Sequence, residues 1–356
     1  MKIKHISFEK VDLSLTRPYK IAFKTVNSVE NLVLILQLED GTIGLGAGNP
    51  SKQVVGESLE EAMNVLAEDS SSFLIGRDIR TIGQLCYEVQ NAFFKNPSVR
   101  TALETALYDA FTQYLDVPLV SYLGQKIKSL PTSITIGIKN VADTILEAQE
   151  YVDRGFKILK VKLGNDLAED IERIALIRER FGKEILVRID ANQGYSTDDL
   201  NTFCRETRQY NLELIEQPMT AKDLESMRLL DDDIKNLLAA DESLISPEDA
   251  LKLLYPKPCC KIFNIKLMKC GGISEALKIA FIAQQHQVDL MWGCNDESII
   301  SIAAALHTAF SCSGTKYIDL DGSLDLAKDV VEGGFILEDG KMSVNGKPGL
   351  GVSLVM

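Results

Sequence analysis

Histidine is scarce in this sequence: three stand among 356 residues, and none pairs with another at ligand spacing. A histidine metal centre is therefore disfavoured, and any acid or base is to be sought among lysines and carboxylates. Cysteine supplies no framework either. The seven cysteines are odd in number, form no C-x-x-C pair and include the adjacent Cys259 and Cys260. Neither a disulfide scaffold nor a thiolate zinc site fits them, and they read as small buried hydrophobes of a reducing compartment. Positive charge is in deficit, 38 Lys plus Arg against 51 Asp plus Glu, for a net charge of -13. Such a chain repels phosphate backbones and anionic lipid surfaces, so no nucleic acid and no membrane is expected as a partner. No stretch reaches about 18 uninterrupted apolar residues. The start, MKIKHISFEKVDL, lacks the apolar centre of a secretory signal. A soluble, cytoplasmic protein is the expectation.

What is present suits a large globular protein, with 46% hydrophobic and 25% charged residues, and the length suggests two domains. From Ser133 onward short β-branched runs alternate with amphipathic stretches: SITIGI, ILKVKL, ILVRID, LELIEQ, LLAADES, IFNIKLM, VDLMWGC and YIDLDG. Helical patterns lie between them at 142–154, 166–181, 198–210, 246–254, 273–286 and 299–311, several opened by Ser, Thr or Asp caps. Strand then helix, repeated, means parallel pairing, and eight units favour a closed barrel over an open doubly wound sheet. The block before Pro131 reads differently. It opens with two or three strands, including NLVLILQLEDGTIGLGAG, whose Asp40-Gly41 signals a two-residue hairpin. Helical stretches follow near 58–68, 79–91 and 98–115. The sequence thus divides into an α+β domain over 1–125, completed by the C-terminal tail 330–356, and an α/β barrel over 126–329.

Catalytic side chains of such barrels sit at the C-terminal ends of the strands, and here those ends are charged. Lys162, Asp190, Glu216, Asp241 and Lys266 follow one another at intervals of 28, 26, 25 and 25 residues, one βα unit each, so they would converge on one ring. Lys160 and Lys162 are i, i+2 on a strand and face the same way, where each ammonium lowers the other's pKa. Asp190, Glu216 and Asp241 offer three hard oxygen donors, which suits Mg²⁺; salt bridges to barrel lysines are the structural alternative. Lys266 lies across the ring from Lys162. A metal-bound carboxylate stabilises the enediolate left when an α-proton departs, and lysines on both faces could remove that proton and return it to the other side. That chemistry is epimerisation or racemisation. Lys269, three residues on, is expected at the surface. A Schiff-base aldolase using Lys266 and a non-catalytic barrel are the alternatives from other classes.

The stretches LTRPYKIAFKTV, LKVKLG, RIDANQGY, LIEQP, ADES, NIKLMKCGGI, DLDG and GKPGLG resemble the enolase superfamily, muconate-lactonising subgroup, and within it the dipeptide epimerases related to L-Ala-D/L-Glu epimerase. The resemblance spans nearly the whole chain. It implies a modified (β/α)7β TIM-like barrel with an N-terminal α+β capping domain, and one Mg²⁺ per subunit held by Asp190, Glu216 and Asp241. It casts Lys162 and Lys266 as the acid/base pair and gives Lys160 the substrate carboxylate. Asp319 and Asp321 of DLDG would hold the substrate's α-ammonium. The implied reaction inverts the α-carbon of the C-terminal residue of an L-Ala-L-Xaa dipeptide; a muconate cycloisomerase or o-succinylbenzoate synthase reaction is the alternative on the same scaffold. Where the Ala-Glu enzymes present an arginine, this chain has Lys24, which meets a carboxylate without the bidentate fork. Val54 in the next cap loop offers an apolar contact, whereas Asp296 and Glu297 bring negative charge to the mouth. A hydrophobic Xaa is preferred, Glu being the other option, with Glu297 a candidate substrate contact and capping of the following helix the expected role of the Asp296-Glu297 pair. A homo-oligomer is anticipated.

Overall fold

Residues 1–21, 24–52, 54–67 and 70–355 are described in a computed structural model of the chain, with side chains outside 18–25. Strands β1 (Ile3–Ile21), β2 (Lys24–Leu38) and β3 (Ile43–Gly48) form an antiparallel meander. Leu32, Leu34, Leu36 and Leu38 alternate along β2 and are wholly buried, the period-two pattern of a strand with one face on a core. On β3 the alternating Gly44, Gly46 and Gly48 face the helix Pro97–Tyr114; a Cβ on Gly46 would lie 1.9 Å from the Ala102 carbonyl oxygen. Only glycine lets helix and sheet approach that closely. The hairpin between β2 and β3 is longer than the two residues that Asp40-Gly41 suggested. Leu38 N–H donates to Thr42 O at 2.9 Å and Gly41 N–H to Leu38 O at 3.1 Å, with Gly41 at φ +93°. A turn closed by a left-handed glycine needs that third residue.

After β4 (Ser129–Pro131) come eight parallel strands: β5 (Ile134–Ile136), β6 (Ile158–Lys162), β7 (Leu186–Asp190), β8 (Leu214–Glu216), β9 (Leu238–Ala240), β10 (Ile262–Ile265), β11 (Asp289–Gly293) and β12 (Thr315–Asp319). They pair in chain order. A parallel bridge between Thr132 and Ile318, with Leu320 N–H donating to Thr132 Oγ1 at 3.0 Å, joins the last strand to the lead-in of the first and closes the barrel. The helices between them match the expected places closely, from Val141–Asp153 and Leu167–Phe181 to Ile299–Ser311. In the β8–β9 unit, where the sequence announced none, two short helices lie at Leu224–Leu229 and Asp232–Lys235. The tail forms β13 (Val331–Gly333) with β16 (Val352–Leu354), and β14 (Phe335–Glu338) with β15 (Lys341–Val344), which adds to β4. Leu350 N–H donates to Asp109 Oδ1 at 2.8 Å on the cap helix. No described helix is long and apolar enough to cross a membrane.

A buried carboxylate links cap to barrel. Glu104, on Pro97–Tyr114, accepts from Ser274 N at 3.1 Å and from Ser274 Oγ at the start of the barrel helix Ile273–Gln285. There the helix dipole favours negative charge. Burial nevertheless pushes the Glu104 pKa up to about 7. A carboxyl whose folded pKa exceeds its unfolded value, near 4.3, contributes stability that is complete below the unfolded value and is lost as pH rises through the folded one. From about pH 4 to pH 8 that amounts to roughly 3 kcal/mol. Glu104→Gln is expected to lose less stability than the wild type between pH 5 and pH 8, as read by urea unfolding at each pH. Equal losses would show that Glu104 does not titrate in this range.

Candidate active site at the barrel mouth

The register of the parallel strands brings the charged residues to one level. Lys162 is paired with Asp190 and Asp190 with Glu216 across β6, β7 and β8; Asp241 and Lys266 directly follow β9 and β10. Lys160 and Lys162 do share a face, since their ammonium groups lie 3.2 and 2.9 Å from the same oxygen, Asp190 Oδ2. Lys160 is 3% exposed and also meets Glu216 Oε2 at 2.7 Å and Asp319 Oδ2 at 2.8 Å. Lys266 Nζ meets Asp241 Oδ2 at 3.0 Å. It approaches close beside Gly293, where a Cβ would lie 3.1 Å from Lys266 Cε.

The electrostatics run opposite to the expectation of mutually depressed lysines. Burial alone would lower Lys160, but Asp319, Glu216 and Asp190 together outweigh it and hold its pKa well above the usual lysine value. Lys266 is likewise raised, burial being overcome by Asp241 and Glu216. These two buried ammonium groups face carboxylates at 2.7 to 3.2 Å, so attraction decides the sign. Among the acids, burial raises Asp190, yet Lys162 and Lys160 bring it down to about 2. Glu216 is pushed up to about 8, first by burial and then by Asp190. Three acids thus stand side by side, held between lysines at either end of the run.

Lys269 is not at the surface. It is buried, and its ammonium donates to Asp241 Oδ1, to the Asp241 carbonyl and to the Asn264 carbonyl at 3.2 Å. The one-turn helix Leu267–Cys270 turns it back under the ring. Asn264, two residues before Lys266 and so on the same side of β10, donates to Glu216 Oε1 at 2.8 Å. Asp319 Oδ1 accepts from Ser133 Oγ at 2.6 Å, and Asp321 Oδ2 from Thr135 N at 2.7 Å. Burial, followed by Asp319, pushes Asp321 up to about 7.

The remaining candidates lie at the start of β2 and on loops. Lys24 begins β2, its side chain outside the described residues. Val54 is exposed in the following cap loop. Glu297 is buried and accepts from Asn295 N at 2.9 Å, and burial pushes it up to about 7. The cap of helix Ile299–Ser311 is Ser298, not Asp296 or Glu297, because its Oγ accepts from Ile300 N and is itself held by Asp329. Sequence reasoning missed Lys269, Asn264 and Ser133. The interval rule looked only at the last polar residue of each strand, and these stand two or three positions away.

Among the described residues no three acidic or histidine side chains are gathered closely enough to enclose an ion as they stand; each carboxylate is drawn to a lysine. The donor set nevertheless fits a hard divalent cation. Asp190 and Glu216 flank one position, now shared by the Lys160 ammonium. The buried oxygens Glu216 Oε2, Glu242 Oε2 and Asn264 Oδ1 make no hydrogen bond, and Glu216 Oε2 lies within ion-pair distance of Lys160 without hydrogen-bond alignment. Such oxygens suit a cation and its waters.

The family description "Mandelate racemase / muconate lactonizing enzyme, N-terminal domain" matches residues 5–124, and "Enolase C-terminal domain-like" matches residues 143–356. The chain is 48% identical over 352 residues to an L-Lys-D/L-Arg epimerase of Methylococcus capsulatus, covering 99% of each. It is 33% identical to an L-Ala-D/L-Glu epimerase of Bacillus subtilis, over 99% of this chain and 97% of the relative. A solved dipeptide epimerase from Methylococcus capsulatus, complexed with Mg and the dipeptide L-Arg-D-Lys, superposes with a TM-score of 0.96 at 48% identity, covering 99% of both chains.

Proposed function

Because the chain belongs to the mandelate racemase and muconate-lactonising branch of the enolase superfamily, we propose that it is a Mg²⁺-dependent isomerase, a dipeptide epimerase acting at the α-carbon of the C-terminal residue. One observation carries the reading. Lys162 and Lys266 close strands β6 and β10, four places apart in an eight-stranded barrel, and so face each other across the mouth with the carboxylates between them. Asp190, Glu216 and Asp241 would hold the cation, which when bound draws charge from the substrate carboxylate and so acidifies the α-hydrogen. Lys162 and Lys266 move the proton, one taking it from one face and the other returning it to the opposite face. Lys160 orients the substrate carboxylate, and Asp319 with Asp321 receives the α-ammonium, for which two carboxylates two residues apart are suited.

For the side chains, we place cationic residues first. The loops after β11 and β12 touch, since a Cβ on Gly322 would lie 1.9 Å from the Asn295 carbonyl oxygen. They bring together Asp296, Glu297, Asp321 and Asp325. Burial comes first in raising the Asp325 pKa, followed by Asp296 and Glu147, with Arg154 and Arg17 opposing; a substrate ammonium or guanidinium would add to that opposition. Relatives named for Lys and Arg dipeptides support this order. The exposed Val54 favours the second reading, a hydrophobic Xaa, with Lys24 keeping Glu as a third.

The test is a pooled dipeptide library incubated with protein and Mg²⁺ in D₂O and read by mass spectrometry. Dipeptides ending in Lys or Arg are expected to gain one deuteron at the inverted carbon soonest. Exchange confined to hydrophobic or Glu dipeptides would overturn the cationic preference. If no dipeptide exchanged while the protein bound Mg²⁺, the epimerase reading would fall in favour of a cycloisomerase.

A further inference from the structure

Glu216 and Asp241 stand on neighbouring strand ends, and a single side chain between them ties their backbones together. Gln217 is fully buried and sits at φ +30°, a left-handed conformation that residues other than glycine seldom adopt. Its Oε1 accepts from Asp241 N at 2.9 Å, Ser243 N at 3.1 Å and Ser243 Oγ at 2.8 Å, while its Nε2 donates to Met219 O at 2.9 Å. Its backbone is used on both sides as well, N–H to Ala239 O at 2.9 Å and C=O from Gln193 N at 2.7 Å. The residue therefore joins the loops after β7, β8 and β9, each of which carries one of Asp190, Glu216 and Asp241. Strained backbone of this kind persists only where its surroundings over-determine it, and it clusters at functional sites.

From this geometry we infer that Gln217 is a positioning residue that sets the spacing of the Glu216 and Asp241 carboxylates for a divalent cation. The inference rests on the Mg²⁺ reading above. The Gln217 side chain bonds to the Asp241 amide and not to its carboxylate oxygens. It acts through the Asp241 and Ser243 amides, which hold the turn from which the Asp241 side chain projects. Lys269 grips the same carboxylate directly, whereas the Gln217 side chain reaches from the end of β8 to the backbone of the turn after β9. Mg²⁺ demands near-octahedral geometry at short distances, so a loosened turn lowers its affinity even with all three ligands present.

The experiment is calorimetric titration of Mg²⁺ into the folded protein without substrate, with hydrogen exchange at the Asp241 and Ser243 amides measured in parallel. Gln217→Gly relieves the positive φ while deleting the side-chain bonds. It is expected to weaken Mg²⁺ binding about 10- to 100-fold, the range for outer partners of metal ligands, and to abolish amide protection at 241 and 243. Ser243→Ala, which removes one bond only, is expected to weaken binding several-fold and serves as the readout should the glycine variant not fold. Glu216→Gln is the control. If Glu216→Gln weakens Mg²⁺ binding but Gln217→Gly and Ser243→Ala stay within twofold of the wild type, Gln217 does not position the ligands. If the wild type takes up no Mg²⁺, or Glu216→Gln leaves uptake unchanged, the Mg²⁺ reading fails and this inference with it.

Discussion

Lys266→Ala is expected to lower epimerisation by about 10²- to 10⁴-fold, the usual contribution of a positioned acid or base, while α-proton exchange survives for one epimer. The asymmetry follows from the two-sided arrangement. With Lys266 gone, Lys162 still reaches one face of the α-carbon, removes that proton and returns a solvent deuteron to the same face. The epimer presenting its hydrogen to the Lys266 side loses exchange altogether. Proton NMR in D₂O, run separately on the two epimers, reads both effects. Equal exchange of both epimers would mean that one base serves both faces and would remove the argument from opposed strands. Circular dichroism must show the fold intact, because Lys266 also pairs with the buried Asp241 at 3.0 Å.

The second large effect concerns stability. Lys160 is a buried ammonium within 3.2 Å of Asp190, 2.7 Å of Glu216 and 2.8 Å of Asp319. Lys160→Met keeps much of the volume but leaves those carboxylates facing one another. Removing one partner of a buried ion pair costs about 3–5 kcal/mol. At about 2–4 °C per kcal/mol for domains of this size, Tm measured without divalent cation should fall by roughly 10 °C. Added Mg²⁺ should raise the variant's Tm more than the wild type's, since a cation that binds only the folded state stabilises it. A variant melting within 2 °C of the wild type would show that the cluster tolerates the lost charge, and the account of Lys160 as its central counter-ion would be abandoned.

Much of the architecture was legible because its signals are local and periodic. The eight strands and the helices around them follow from apolar runs, caps and their alternation, and residues 299–311 were bounded as found. The hairpin at Asp40-Gly41 was located but given too few residues, because loop length depends on how β2 and β3 pair. Lys269 was misplaced for a related reason. Spacing from Lys266 does not reveal that the helix after β10 lasts one turn and folds the side chain under the ring. Ser298 took the cap expected of Asp296 or Glu297, since the side chain that caps is decided by where the chain leaves the loop.

By itself the sequence determined the inventory and order of the site: lysines and carboxylates at strand ends, one per βα unit, because the repeat length sets which residues reach the barrel mouth. Only the tertiary structure decided how those charges are apportioned. Lys160 and Asp319 are 159 residues apart and meet because the barrel closes through Thr132 and Ile318. That closure brings Asp319 to Lys160, whose pKa is raised where a lowering was anticipated, because acids from three other strands surround its ammonium. The pairing of β8 with β9 gives Gln217 its place between two ligand strands, a role that no pattern along the chain could announce because it is made of contacts to residues 24 and 26 positions away.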